Sequence, residues 1–243
     1  MLKMAGAAAL LLVALLGLSA CGGGGGVSVP FPFGAGTTWS YRHIQGTQQG
    51  TAVMTYRGQQ TYRGMNLHRT DETSTLFAGT VASNYFEWSG CAATRAIVVV
   101  TATAQLELVL DRAVGLYCSP TSLNGSLQMY LNGSFQGTFP WSASSSDGGE
   151  WVVTVPSGSY RTRRWNTFLA LAGRPETTVA AANYIDRNHV TVLSDGEDGL
   201  GNRSRLEHVS GPVTSLHLDA AAARLLGAMP PRFIELGRAL AEE

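Results

Sequence analysis

The stretch Ile97-Val98-Val99-Val100-Thr101-Ala102-Thr103-Ala104-Gln105-Leu106-Glu107-Leu108-Val109-Leu110 decides the fold class. Val98, Val100, Ala102, Ala104, Leu106, Leu108 and Leu110 recur at every second position, and Thr101, Thr103, Gln105 and Glu107 fill the places between. Side chains alternate between the two faces of a strand, so the pattern predicts a long half-buried strand, or two strands joined by a bulge. A helix would bring the apolar residues back every three or four positions, and this segment does not.

On the N-terminal side, Thr37 to Ile44 is rich in aromatic and β-branched residues. Thr51 to Tyr56 and Thr61 to Thr70 flank Arg57-Gly58-Gln59-Gln60, which reads as a hairpin turn. On the C-terminal side, Asn124-Gly125 and Asn132-Gly133 form a short repeat, and Asn-Gly favours the type I′ turn of a tight hairpin. At Asn132-Gly133 two registers compete. A two-residue loop pairs Leu131 with Ser134, whereas the hydrophobic pattern prefers Leu131 opposite Phe135. A hairpin is expected there, with its register open.

Trp151 to Val155 and Ser159 to Leu169 make a further hairpin through Pro156-Ser157-Gly158. Thr177 to Ile185, His189 to Leu193 and Arg203 to Val209 complete the strands, and Ser194 to Asn202 reads as a loop. No helix-period segment interrupts them. The region 30–212 is therefore expected to be a β-rich domain, an antiparallel sandwich or incompletely closed barrel. In 213–243 the character changes. Asp219 can cap a helix from Ala220 to Met229, Pro230-Pro231 breaks it, and a second helix can run from Pro231 to Ala241. Phe233, Leu236 and Leu240 share one face of that second helix, which is expected to dock on the domain or to bind a partner.

The first twenty residues are of another kind. Lys3 is followed by an apolar run with Leu10-Leu11-Leu12 and Leu15-Leu16 at its centre, then Leu18-Ser19-Ala20-Cys21. A basic start, a short apolar core and a small-residue cleavage site make an export leader, 1–20. An aliphatic residue, two small residues and a cysteine resemble the signal of bacterial lipoproteins. That resemblance implies a diacylglycerol on the Cys21 thiol, cleavage before Cys21 and acylation of its freed amine. Each buried methylene contributes about 0.8 kcal/mol, so three chains make a lasting anchor. The run Gly22 to Gly26 follows, within 21–29, as a flexible tether of roughly 17 Å when extended.

The same resemblance implies an envelope location, lipid-anchored. The periplasmic face of the outer membrane is favoured if the cell is Gram-negative, because glycine rather than aspartate follows the cysteine. A second resemblance lies in Pro32-Phe33-Gly34-Ala35-Gly36-Thr37-Thr38-Trp39-Ser40-Tyr41 followed by Val153-Thr154-Val155-Pro156-Ser157-Gly158-Ser159-Tyr160. These are similar to segments of β-rich envelope lipoproteins whose function is uncharacterised. Trp39 and Tyr41 would face one side of a strand as core aromatics. An oxidising compartment and an even count make a Cys91–Cys118 disulfide the expected state of the two remaining cysteines.

Formal net charge is zero, so neither a basic nucleic-acid surface nor an acidic tail is indicated. Lys3 is the only lysine, which leaves the mature chain without Schiff-base or serine–lysine chemistry. Gly133-Ser134-Phe135-Gln136-Gly137 sets its serine beside the first glycine, so the GxSxG elbow is not met. His43, His68, His189, His208 and His217 form no metal-ligand spacing, so no metal site and no cofactor are assigned. Asp195, Glu197 and Asp198 have the composition of a calcium loop, but Leu200 stands where its glycine is required; a polar turn is the simpler reading. Arg161, Arg163 and Arg164 could form a small anion site. Arg161 and Arg163 share a face while Arg164 points away, and a solvated face is the simpler reading.

The expected function is therefore non-catalytic. A membrane-anchored envelope lipoprotein would bind or scaffold an envelope protein, or carry a lipid or other apolar ligand. The alternative is an envelope hydrolase whose histidine and carboxylate come together from distant positions.

Overall fold

In the computed structural model, described over residues 30–213 apart from Cys118 and Asn188, and without side chains at 174–176, strand follows strand through the whole domain. The strands are β1 (Thr38–Gln45), β2 (Gln48–Tyr62), β3 (Met65–Ser74), β4 (Val81–Trp88), β5 (Ala92–Val100) and β6 (Gln105–Val114). They continue as β7 (Thr121–Leu131), β8 (Ser134–Val155), β9 (Gly158–Leu171), β10 (Arg174–Ile185), β11 (Thr191–Asp198) and β12 (Arg203–Ser210). A single 3-10 turn, Thr75–Phe77, lies between β3 and β4. Every neighbour in sequence is a neighbour in the sheet, always antiparallel, and β1 also pairs with β12. The sheet is a closed up-and-down barrel. The sandwich or incompletely closed barrel is thus corrected: Tyr41 opposite His208 and His43 opposite Leu206 seal the two ends of the chain together, leaving no free edge.

The segment that identified the fold class is a hairpin, neither one strand nor two joined by a bulge. Thr101 to Ala104 turn the chain, and the Thr101 hydroxyl donates to the Ala104 carbonyl. Val99 then lies opposite Leu106 and Ile97 opposite Leu108. Two residues seven apart would sit on opposite faces of one strand; the turn puts them on one face. In β5 it is Ile97 and Val99 that enter the apolar cluster with Leu108, while Val98 packs with Leu67, Tyr85 and Ala96 on the other face.

Other turns moved for similar local reasons. Arg57 to Gln60 is no turn: β2 runs on to Tyr62 with a bulge near Gly58, and Arg63 and Gly64, both at positive φ, make the reversal. Asn124-Gly125 lies inside β7. Asn132-Gly133 is the two-residue turn, at φ 50° and 77°. Of the two rival registers the two-residue loop's is the one adopted, and Leu131 does not lie opposite Phe135. Leu131 faces Ser134 and Tyr130 faces Phe135, then a bulge returns Leu127 to a position opposite Phe139. Ser194 to Asp198 belong to β11, so only 199–202 remain as loop. The expected helices within 213–243, the leader and the tether lie outside the described residues.

A twelve-stranded barrel is wide for side chains alone to fill. Here the connections help. Leu116 and Tyr117, between β6 and β7, are buried in one interior cluster with Ile97, Leu127, Trp141 and Trp165. At one end of the barrel Trp39, Tyr41, Met54, Tyr56 and Phe86 form a second cluster, against which Phe31 and Phe33 pack from the N-terminal segment. The long β8 and β9 continue past a bulge between Asp147 and Glu150 as an arm. Val153, Val155 and Tyr160 of the arm pack on Val192, Leu193 and Tyr184.

Candidate functional site

The interior holds polar groups among its aromatics. His43 is buried, with Nδ1 at 2.8 Å from Ser74 Oγ and Nε2 at 3.0 Å from Ser204 Oγ. Asn183 Nδ2 donates to Thr167 Oγ1 at 3.2 Å, and Ser194 Oγ donates to Asn183 Oδ1 at 2.7 Å. Glu72 is 1% exposed, and neither of its oxygens has a hydrogen-bond partner among the described residues. Loss of hydration pushes its carboxyl up to about 8, so it is chiefly a neutral acid at pH 7. Tyr41 is held above its ordinary range by burial first, then by Glu72 and Asp186.

The histidines that the alternative hydrolase reading would draw on meet other groups. His68 lies at 2.6 Å from the Tyr56 hydroxyl, and His189 meets Trp88 edge-on. His208 Nδ1 is 2.8 Å from Ser157 Oγ, while that same hydroxyl donates to the His208 carbonyl at 3.0 Å. Ser157 and His208 are thus paired through both the imidazole and the backbone carbonyl, and the ring tautomer sets the direction of the imidazole bond. Burial lowers His208 and His189 to about 4. No described histidine is hydrogen-bonded to a carboxylate. His217 lies outside the described residues.

Among the described residues no group of three or more histidine, cysteine, aspartate or glutamate side chains could hold a metal ion. The acidic trio has other duties. Asp195 and Glu197 point outward to Arg205 and Arg203, at 3.3 and 2.9 Å. Asp198 is buried and closes the turn after it, accepting from the amides of Leu200 and Asn202 at 2.9 Å. Trp39 and Tyr41 are core aromatics; the indole N–H of Trp39 reaches the Pro212 carbonyl at 3.0 Å. Cys91 is disulfide-bonded, and Cys118 lies outside the described residues.

A groove opens on the outside of the barrel, along β9, β10 and β11. Its rungs follow from the register. Arg164, Tyr184 and Leu193 lie side by side, then Asn166, Ala182 and Asp195, then Phe168, Ala180 and Glu197. Alanine on the middle strand between longer side chains on both neighbours makes a trough of about 410 Å³ with Arg203 at its far wall. The arm bounds the near end: Arg164 lies over the rings of Trp151 and Tyr184, with Cζ at 5.3 and 5.9 Å from their centroids. Of the three arginines singled out by the sequence, Arg161 pairs with Glu150 and Arg163 with Asp147. The Arg164 Nε is buried and has no hydrogen-bond partner. That Ala180 and Ala182 floor a groove follows from the register of β9, β10 and β11.

On β1, β11 and β12 the outer face carries the ion pairs Arg42–Glu207, Arg205–Asp195 and Arg203–Glu197, whereas on β3 to β5 it carries the apolar cluster of Leu67, Tyr85, Ala96 and Val98. No helix among the described residues is long and apolar enough to cross a membrane.

No protein-family model and no curated protein matches the chain. Solved structures resemble it distantly. The hypothetical lipoprotein YmcC from Escherichia coli is 9% identical, with 73% of this chain and 85% of that chain covered, at a TM-score of 0.41. A provisionally named lipoprotein from Parabacteroides distasonis is 10% identical over 74% of this chain and 96% of that one, at 0.37. A provisionally named exported protein of YmcC-like fold from Bacteroides fragilis is 8% identical over 77% and 100%, also at 0.37.

Proposed function

We propose that this chain is a lipid-anchored envelope protein, held through acylated Cys21, that acts as a non-catalytic binding or scaffolding module through the outer surface of its barrel. One observation carries the choice of surface. The lumen is occupied by large side chains, among them Trp39, Tyr41, Phe86, Tyr117 and Trp141, each no more than 2% exposed. A carrier of lipids needs a cavity that takes up most of its ligand's surface. The close packing of these side chains supports the outside as the working surface, and the trough on β9 to β11 is a shaped part of it. The anchor reading is supported by Leu18-Ser19-Ala20-Cys21. The periplasmic face of the outer membrane is the proposed location in a Gram-negative cell.

Three experiments test this. Cys21→Ala should abolish palmitate labelling and leave the leader uncleaved; persistent labelling would overturn the anchor. Native mass spectrometry of the exported protein should give the bare polypeptide mass, plus acyl groups where present. Crosslinking in the native envelope should then join the barrel to a partner. A solvent-extractable apolar adduct that survives removal of the acyl anchor would restore the carrier and overturn the surface reading.

A further inference from the structure

We infer that Arg164 anchors an oxyanion subsite at the arm end of the outer groove, suited to a carboxylate or phosphate on a ligand that lies along Ala182 and Ala180. This rests on the reading that the outer surface is the working surface. The argument begins with charge. Arg161 and Arg163 are spent on Glu150 and Asp147, but Arg164 has no carboxylate within ion-pair reach among the described residues. Its Nε is buried without a partner, although a buried donor is costly to leave unpaired.

The side chain is nevertheless held in place. A Cβ on Gly148 would lie 3.0 Å from Arg164 Cγ and 3.1 Å from Cδ, so the bulge glycine makes room for the arginine stem. The guanidinium lies against Trp151 and Tyr184, and Trp151 is itself fixed by its indole N–H on the Gly148 carbonyl at 2.8 Å. An arginine positioned before its ligand arrives loses little freedom on binding. Its planar fork matches a carboxylate or phosphate through paired charge-assisted hydrogen bonds. The acids of the opposite wall do not oppose this strongly, because Arg205 and Arg203 neutralise Asp195 and Glu197. Beyond the arginine the floor is uncharged alanine. The fitting ligand is anionic at one end and neutral along its length.

The test is a titration of the full mature chain in neutral detergent, at constant ionic strength, with inorganic phosphate and separately with acetate. Arginine Nε–H and tryptophan indole N–H signals are followed by NMR. Saturable shifts at Arg164 and Trp151 in the millimolar range are expected. A response to phosphate alone identifies a phosphate-bearing ligand; a response to both identifies a carboxylate as sufficient. Arg164→Gln should weaken binding at least about tenfold, Gly148→Ala should weaken it by displacing the stem, and Arg161→Gln should leave it unchanged. Absence of saturable shifts, or equal binding by Arg164→Gln, would overturn the subsite. Partner crosslinking on the groove without an anion response would overturn the subsite while leaving the surface reading intact.

Discussion

Trp141 lies so close to Gly125 on the neighbouring strand that a Cβ there would sit 2.7 Å from the indole Cζ2 and 2.5 Å from Asp111 Oδ1. The indole N–H is in turn 3.3 Å from that carboxylate oxygen. Glycine is required in mid-strand by the bulk across from it. Gly125→Ala should therefore cost roughly 1–3 kcal/mol through overpacking. Urea denaturation measures it, and a loss below about 0.5 kcal/mol, the range of ordinary surface changes, would show that Trp141 has room to move.

The pH dependence of stability should be two-sided. Glu72 ionises near 4.5 when unfolded but at about 8 when folded. Between those values the unfolded chain has released a proton that the folded one keeps, so stability falls as pH rises and levels off above 8. At about 1.36 kcal/mol per pH unit the ceiling is on the order of 4–5 kcal/mol. His189 and His208 work the other way. Their pKa values drop from 6.5 to about 4 on folding, so the unfolded chain binds protons first and stability is lost as pH falls through that window. The maximum should lie near neutrality. Glu72→Gln should flatten the alkaline arm and steepen the acid arm above about pH 4.5, where Glu72 opposes the histidines. Parallel curves for the variant and the parent, from denaturation midpoints across the range, would show that Glu72 is solvated.

Where the sequence was legible, the reason is local. The alternation around Leu106 and Leu108 needs only a strand with one buried face, and Asn132-Gly133 needs only a tight turn. What could not be read depended on partners far along the chain. Closure rests on β1 meeting β12, and neither strand carries a signal for the other. The Val98-Val99-Val100 run supplies apolar residues to both faces, so its alternation concealed the turn at Thr101 to Ala104. Glu72 stands in Thr70-Asp71-Glu72-Thr73, which reads as a solvated edge. Its neighbour Asp71 meets Arg57 and Arg69 on the outer face, while Glu72 points into the barrel. For the candidate site, three neighbouring arginines were visible from the start. Only the register and the arm separate the two with carboxylate partners from Arg164.

Cys91 is buried and disulfide-bonded, and the proposed partner is Cys118, just before β7. A peptide map without reduction should contain one linked pair joining these two cysteines. Cys118→Ser should leave the Cys91 thiol free to alkylate after unfolding. Replacing both with serine should cost roughly 3–4 kcal/mol on the loop-closure account. A Cys91 linked to any other cysteine would overturn the assignment.

If the outer groove is a working surface, filling it should block function without harming the fold. Ala182 sits on the groove floor between Asn166 and Asp195, half-buried and outward-facing. Leucine there raises the floor and suits a strand better than alanine. Stability should change by no more than about 0.5 kcal/mol. Thr51→Leu, at an exposed position of β2, is the matched control for added surface hydrophobicity. Crosslinking of the anchored protein to its envelope partner should be lost in Ala182→Leu and kept in Thr51→Leu. Loss in both would point to a general effect of an exposed leucine. Retention in both would move the working surface away from β10, toward the outer face of β7 and β8, where Arg63 covers the ring of Tyr130 at 4.0 Å and Phe135 is exposed.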